Sequence, residues 1–210
     1  LHALVTRASL QRGETLLVLG ASGGIGTAAI ELGRVLGARV IAAGSRRSLG
    51  PSRRLGADAV IDYEAEDLKS RVRELTDGRG ADVVIDPVGG IFTEPAVRSM
   101  AWGGRHLMVG FAAGPIPQLP LNLLLLKSTS SMGVFWGAWA AREPSCFRRH
   151  IELLFRWNLE GKITPKISKS YPLDAAPEAL RDLAERRVVG KCVLHTPALE
   201  STASPAHALG

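Results

Sequence analysis

Residues 14–47 constrain this chain more than any other stretch. They open with Glu14-Thr15-Leu16-Leu17-Val18-Leu19, an apolar β-rich run without alternation, as a strand buried on both faces requires. Gly20-Ala21-Ser22-Gly23-Gly24-Ile25-Gly26 follows. Glycines remove Cβ atoms where a chain reverses sharply and where a phosphate must come close. Ile25, Ala28, Ala29, Leu32 and Val35 then recur at helical spacing, one apolar face for a sheet. The first-turn N–H groups of such a helix have no intrahelical partners, so they point at any anion lying over the turn. A second apolar run, Val40-Ile41-Ala42-Ala43, closes a strand–helix–strand unit. The glycine turn therefore stands in the full setting of a dinucleotide site.

The same alternation continues. Ala59-Val60-Ile61-Asp62-Tyr63 predicts a third strand, and Leu68, Val72 and Leu75 a helix stopping at Asp77-Gly78. Residues 81–86 predict a fourth strand, 95–101 a helix with Pro95 in its first turn, and 105–109 a fifth strand. Strands alternating with helices imply an α/β fold with a parallel, doubly wound sheet. Ligands of such sheets lie beyond the carboxyl ends of the strands, where Gly23, Gly44, Val88 and Gly110 all fall. Pro115, Pro117 and Pro120 mark a loop. Ser131-Met132-Gly133-Val134-Phe135 has neither charge nor proline, so as an edge strand it invites pairing with a second chain. Residues 144–158 predict a long amphipathic helix. After it come two short β-rich runs, 167–171 and 191–195, around a helix capped by Asp174 with Leu180, Leu183 and Ala184 inward. The expected division is 1–163 for the nucleotide domain, 164–196 for a smaller remnant, and 197–210 for an Ala/Ser/Pro-rich disordered tail.

Composition removes several function classes. Arginine supplies 20 of the 26 basic residues behind the net charge of +6, but the arginines are dispersed and no aromatics interleave with them. Nucleic acid is therefore not an expected partner, whereas an anionic dinucleotide is. The longest apolar runs are too short to span a bilayer, so no membrane partner is expected. Cys146 and Cys192 form no CxxC, and the five histidines show no ligand-like spacing, so no metal site is expected. A reducing, cytoplasmic compartment fits the two thiols.

Glycines at 20, 24 and 26 fit the short-chain dehydrogenase pattern, but that family needs Tyr-x-x-x-Lys. Tyr63 and Tyr171 are followed at that spacing by Asp67 and Ala175, so the pair is absent. The chain instead resembles the zinc-independent quinone oxidoreductases of the medium-chain dehydrogenase/reductase superfamily. The resemblance rests on Ser22-Gly23-Gly24-Ile25-Gly26, on Asp86-Pro87-Val88-Gly89-Gly90, and on Leu-Leu-Lys127 followed by Phe135-Trp136-Gly137. It implies a nicotinamide cofactor lying over Ser22, Gly23, Gly24 and Ile25, passing Gly44, Ser45 and Tyr63. It implies further borders at Val88, Gly110, Phe111, Phe135, Trp136 and Gly137. Relatives that use NADPH carry Lys where this chain has Ser48, so Arg46 and Arg47 are the candidates for holding the 2′-phosphate. A carboxylate usually ends the second strand of NAD-binding folds; here Gly44-Ser45 stand there, which favours NADPH.

The resemblance further implies a homodimer through the edge strand, a preceding GroES-like barrel domain that this chain is expected to lack and of which 164–196 is the expected remnant, its runs 167–171 and 190–195 returning to that barrel, and hydride transfer to a quinone or enone without zinc. The catalytic residues stay unassigned. The alternative is a non-catalytic NADPH-binding module or truncated form with half of the active site absent.

Overall fold

The computed structural model describes residues 1–196. The expected tail, 197–210, lies outside the described residues. Strands β1 (Thr15–Leu19), β2 (Arg39–Gly44), β3 (Ala59–Asp62), β4 (Ala81–Asp86), β5 (Met100–Met108) and β6 (Ser130–Gly133) form one sheet in the order β3-β2-β1-β4-β5-β6. Every pairing in it is parallel. Helices α1 (Gly24–Val35), α2 (Arg46–Arg54), α3 (Leu68–Leu75) and α4 (Thr93–Arg98) connect successive strands. This is the Rossmann-type α/β architecture that the alternation implies.

The all-apolar strands follow from burial on both faces. Leu16 and Val18 point into one apolar cluster with Ile30, Val40 and Leu107. Leu17 and Leu19 point into the other with Ile41, Ile61, Val72 and Val84. Each of these four β1 side chains is 0 % exposed, and each contributes about 1.5–3 kcal/mol of burial. No polar alternation is possible in a strand covered on both sides. From β1 the chain winds outward to β2 and β3, then returns to β4 on the other side of β1. The winding reverses there, and the crevice opens at the carboxyl ends of β1 and β4.

Several boundaries depart from the sequence reading. Where Gly50-Pro51 predict a late helix start, α2 begins at Arg46, directly after Ser45, with Pro51 inside it. Ser48 winds that first turn: its N–H and its hydroxyl both donate to the Ser45 carbonyl, at 2.7 and 2.6 Å. Proline removes only one ladder donor from this exposed helix, and the turn is already set. Helix α4 stops at Arg98, so Met100 and Ala101 belong to β5 and are buried in it. An irregularity in the β4–β5 register accommodates the extra residues. Strand β6 ends at Gly133, and Trp136 begins helix α6 (Trp136–Arg142). A short helix α5 (Asn122–Leu125) precedes β6. Lys127, part of the family pattern, donates to the carbonyls of Arg98 and Met100 at 2.8 and 2.7 Å and so ties α4 to β5.

The long helix α7 spans Pro144–Leu159. Beyond it, β7 (Ile167–Pro172) and β8 (Lys191–His195) pair with each other in parallel, joined through helix α8 (Ala176–Ala184). Asp174 does not cap α8, whose N-terminus has no side-chain cap. Its inward residues are Ala179 and Asp182, while Leu180, Leu183 and Ala184 are exposed. Asp182 turns inward because Lys169, Tyr171 and Arg187 all bond its carboxylate, and that charge cluster rotates the apolar leucines outward.

Candidate nucleotide-binding cleft

Gly20 follows β1 with φ +60°, and a Cβ there would meet the Val88 side chain at 2.7 Å. Glycine is therefore needed twice over: for the left-handed turn and for the close approach of the β4 loop. At Gly26 a Cβ would stand 2.3 Å from the Gly20 carbonyl, so this glycine lets α1 pack tightly on the turn. The N-terminus of α1 has no side-chain cap. Its first N–H groups and the positive end of its dipole open onto a cleft of about 650 Å³. That volume suits a mid-sized organic ligand.

Of the residues the sequence nominates, Ser22, Gly23, Gly24, Ile25, Ser45, Arg46, Arg47, Tyr63 and Val88 line this cleft. Tyr63 stacks on Phe92, ring centroids 4.0 Å apart, and Phe92 shares the lining. Burial, and then the neighbouring Glu64 carboxylate, push the Tyr63 hydroxyl up from its ordinary range, so it stays a neutral donor. Glu64 also reaches the cleft and places one negative charge among the arginines.

Gly44, Gly110, Phe111, Phe135, Trp136 and Gly137 lie outside the lining. Gly44 is required by packing, because a Cβ there would meet Ser48 Oγ at 2.3 Å. Gly110 and Phe111 follow β5, and the Phe111 ring leans on Gly89 instead, with Ala112 and Ala113 taking the wall. Phe135, Trp136 and Gly137 stand past the edge strand, where Trp136 meets Phe147 of α7 edge-on at 5.8 Å.

Below the cleft, the carboxyl ends of β4, β5 and β6 share a buried polar network. Asp86 Oδ1 accepts the backbone N–H groups of Val88 and Gly89, each at 2.8 Å. Its Oδ2 accepts the Thr93 hydroxyl at 2.7 Å and faces His106 Nε2 at 3.3 Å. His106 Nδ1 meets Ser131 Oγ at 2.7 Å. Burial pushes the Asp86 carboxyl up, but these hydrogen bonds outweigh it and hold the group below the usual carboxylate range. The network fixes the loop that carries Val88 into the cleft.

The sequence reading misses the opposite wall. Leu183, Arg186, Val188, Val189, Gly190 and Lys191 close the cleft from the α8–β8 side. That segment lies about 165 residues from the glycine turn in sequence, and the only local signal is Arg186-Arg187 ahead of Gly190. Cys146 and His150 sit one turn apart on α7, Sγ to Nε2 4.0 Å, and neither lines the cleft. Among the described residues, no group of three or more His, Cys, Asp or Glu side chains could hold a metal ion. Among the same residues, no helix is long and apolar enough to cross a membrane.

The profile of the zinc-binding dehydrogenase family matches residues 24–156, more than half of the chain. The chain belongs to that family. Within this zinc-binding dehydrogenase family it is a quinone oxidoreductase-like member of the medium-chain branch. It is 40 % identical over 192 residues to the quinone oxidoreductase-like protein 2 homolog of Nematostella vectensis, covering 90 % of this chain and 53 % of that protein. The chain thus spans about half the length of the curated relatives it matches. A structure described as an NAD-dependent alcohol dehydrogenase aligns with TM-score 0.81 and 33 % identity, over 92 % of this chain and 54 % of its own. A mycobacterial protein solved in complex with NADPH aligns with TM-score 0.80 and 31 % identity, over 92 % and 60 %.

The residues present fit a dinucleotide of this kind. Open helix N–H groups, a glycine cradle and the cations Arg46, Arg47, Arg186 and Lys191 all converge on one cleft.

Proposed function

We propose that this chain is the nucleotide-binding part of an NADPH-dependent oxidoreductase that passes hydride to a quinone or an activated alkene without zinc. The observation that carries the reading is the meeting of Arg46 and Arg47 with the uncapped start of α1 in one cleft at the sheet's switch point. When bound, the nicotinamide supplies the hydride; the protein orients it.

The residues divide that work. The N–H groups of the turn at Ser22–Ile25 and the dipole of α1 hold the diphosphate. Arg46 and Arg47 attract the 2′-phosphate, and no carboxylate ends β2 to repel it. Glu64 opposes them with one charge against two. Tyr63 and Phe92 offer an apolar stack for the adenine side. The Asp86 network keeps Val88 at the cleft wall. No alcohol has to be ionised in this reaction, so a zinc ion has no step to perform. Cytoplasmic action and a homodimer through the edge strand belong to the same proposal, supported by the two free thiols and by the exposed β6.

Loss of nicotinamide absorbance tests the proposal directly. Purified chain should oxidise NADPH when a simple quinone or enone is supplied. Binding without oxidation of any such acceptor would favour the second reading, a nucleotide-binding module without chemistry of its own.

A further inference from the structure

The cleft's second wall is held by more ties than a loop requires. Arg187 donates to Asp182 Oδ1 through two guanidinium nitrogens, at 2.8 and 2.6 Å, and its backbone N–H donates to the Asp182 carbonyl at 2.8 Å. Asp182 is only 3 % exposed and also accepts the Tyr171 hydroxyl at 2.5 Å and the Lys169 ammonium. Ser168 Oγ donates to the Val189 carbonyl at 2.7 Å and accepts the Val189 N–H at 2.9 Å. Gly190 then donates its N–H to the Ser22 carbonyl at 2.8 Å, landing the segment on the glycine turn itself.

The landing sets one side chain. Lys191 runs across Gly24, with its ammonium 2.8 Å from where a Gly24 Cβ would stand. That ammonium has no hydrogen bond or ion pair among the described residues. A cation parked at the positive end of a helix dipole is disfavoured, and an anion between the two reverses the sign.

We propose that Asp182 is a positioning residue of the nucleotide cleft: through Arg187 it fixes residues 186–191, which hold Lys191 over the glycine turn as a counter-ion for the diphosphate. Asp182 never touches the nucleotide; it sets where the cation stands. This inference rests on the nucleotide reading above.

The test titrates NADPH into the full chain at several salt concentrations, for the unmodified protein, Lys191→Met, Asp182→Asn and the double variant. Lys191→Met should weaken binding roughly tenfold, the effect of losing one charged hydrogen bond, and flatten the salt dependence. Asp182→Asn should give a similar loss and a similar flattening. The double variant should bind no more weakly than either single one, because both remove the same contact. Losses that multiply to about a hundredfold would overturn the positioning role, as would unchanged affinity in Asp182→Asn. A merely structural role for Asp182 would not flatten the salt dependence. If Asp182→Asn fails to fold, Ser168→Ala frees Val189 alone and should still weaken binding several-fold; unchanged affinity there overturns the proposal. An unmodified chain that binds no NADPH removes the nucleotide reading itself. Tight binding that neither Asp182→Asn nor Lys191→Met disturbs removes only the positioning role.

Discussion

His106 Nε2 lies 3.3 Å from Asp86 Oδ2, with both side chains buried beneath the nucleotide cleft. The pair joins the carboxyl end of β4 to β5, and Ser131 extends it to β6. Asp86 thus gathers one imidazole, one hydroxyl and two backbone N–H groups, and through them sets the loop that lines the cleft.

Removing the acceptor strands these buried donors. Asp86→Ala should destabilise the chain by about 3 kcal/mol, read as a shift in the denaturant midpoint at constant slope. NADPH affinity should fall with it, because Val88 and Gly89 lose their anchor. An unchanged midpoint would show that the network is decorative.

On the proposed reading, the choice between NADPH and NADH falls to Arg46 and Arg47 of α2. The double variant Arg46→Ala, Arg47→Ala should lose about 1–3 kcal/mol of binding to NADPH while NADH binding stays nearly constant. Glu64→Gln should act in the opposite sense and strengthen NADPH binding by a smaller amount, since it removes the one carboxylate of the lining. Competitive titration of the two cofactors checks both. Equal affinity of the unmodified chain for NADH and NADPH would remove the assignment of the arginines.

Much of the fold was legible in the sequence, for reasons that can be stated. The run Leu16-Leu17-Val18-Leu19 has to be a two-face-buried strand, and the glycine spacing has to follow it. Asp77-Gly78 stops α3 because both adopt left-handed φ, +51° and +82°. What stayed hidden depends on particular hydrogen bonds, local and long-range, that residue spacing does not announce. Ser48 overrides Pro51 through its bonds to Ser45. Asp182 overrides the apolar spacing of Leu180 and Leu183 through Lys169 and Tyr171 of β7 and Arg187 of the loop that follows α8. The second wall, Arg186 to Lys191, is tied to the glycine turn by the Gly190 N–H on the Ser22 carbonyl, and local pattern carries no trace of that contact.

Dimerisation is tested at Gly133 rather than at Val134. Val134 donates its N–H to Met108 at 2.9 Å, inside the sheet, so proline there would damage the β5–β6 pairing. Alternate residues face outward, which puts Ser131 and Gly133 on the free edge. The Gly133 carbonyl already accepts Arg7 Nε at 3.1 Å. Gly133→Pro removes an outward donor and should convert a dimer to monomer while leaving NADPH affinity in place. Light scattering at micromolar concentration reads this. A monomeric unmodified chain would contradict the edge-strand dimer.

Acid should unfold the chain through two carboxylates. Hydrogen bonds hold Asp86 below the usual range against its burial, and Lys169, Tyr171 and Arg187 do the same for Asp182. A depressed folded-state pKa stabilises above the unfolded value of about 3.9 and is lost as pH falls below it. The denaturant midpoint should therefore drop steeply below about pH 4. Asp86→Asn and Asp182→Asn should each make that drop shallower, and a drop of unchanged steepness in both would show that other groups control it.

The most direct test of the nucleotide cleft is calorimetric titration of NADPH into the unmodified chain and into Gly24→Asp. The added carboxylate would occupy the space where Lys191 passes 2.7–2.8 Å from the Cβ position, and would face the diphosphate with a like charge. Saturable binding by the unmodified chain, weakened at least roughly tenfold in Gly24→Asp, is the expected result. Equal affinity in the two proteins would contradict the placement of the cofactor over the glycine turn.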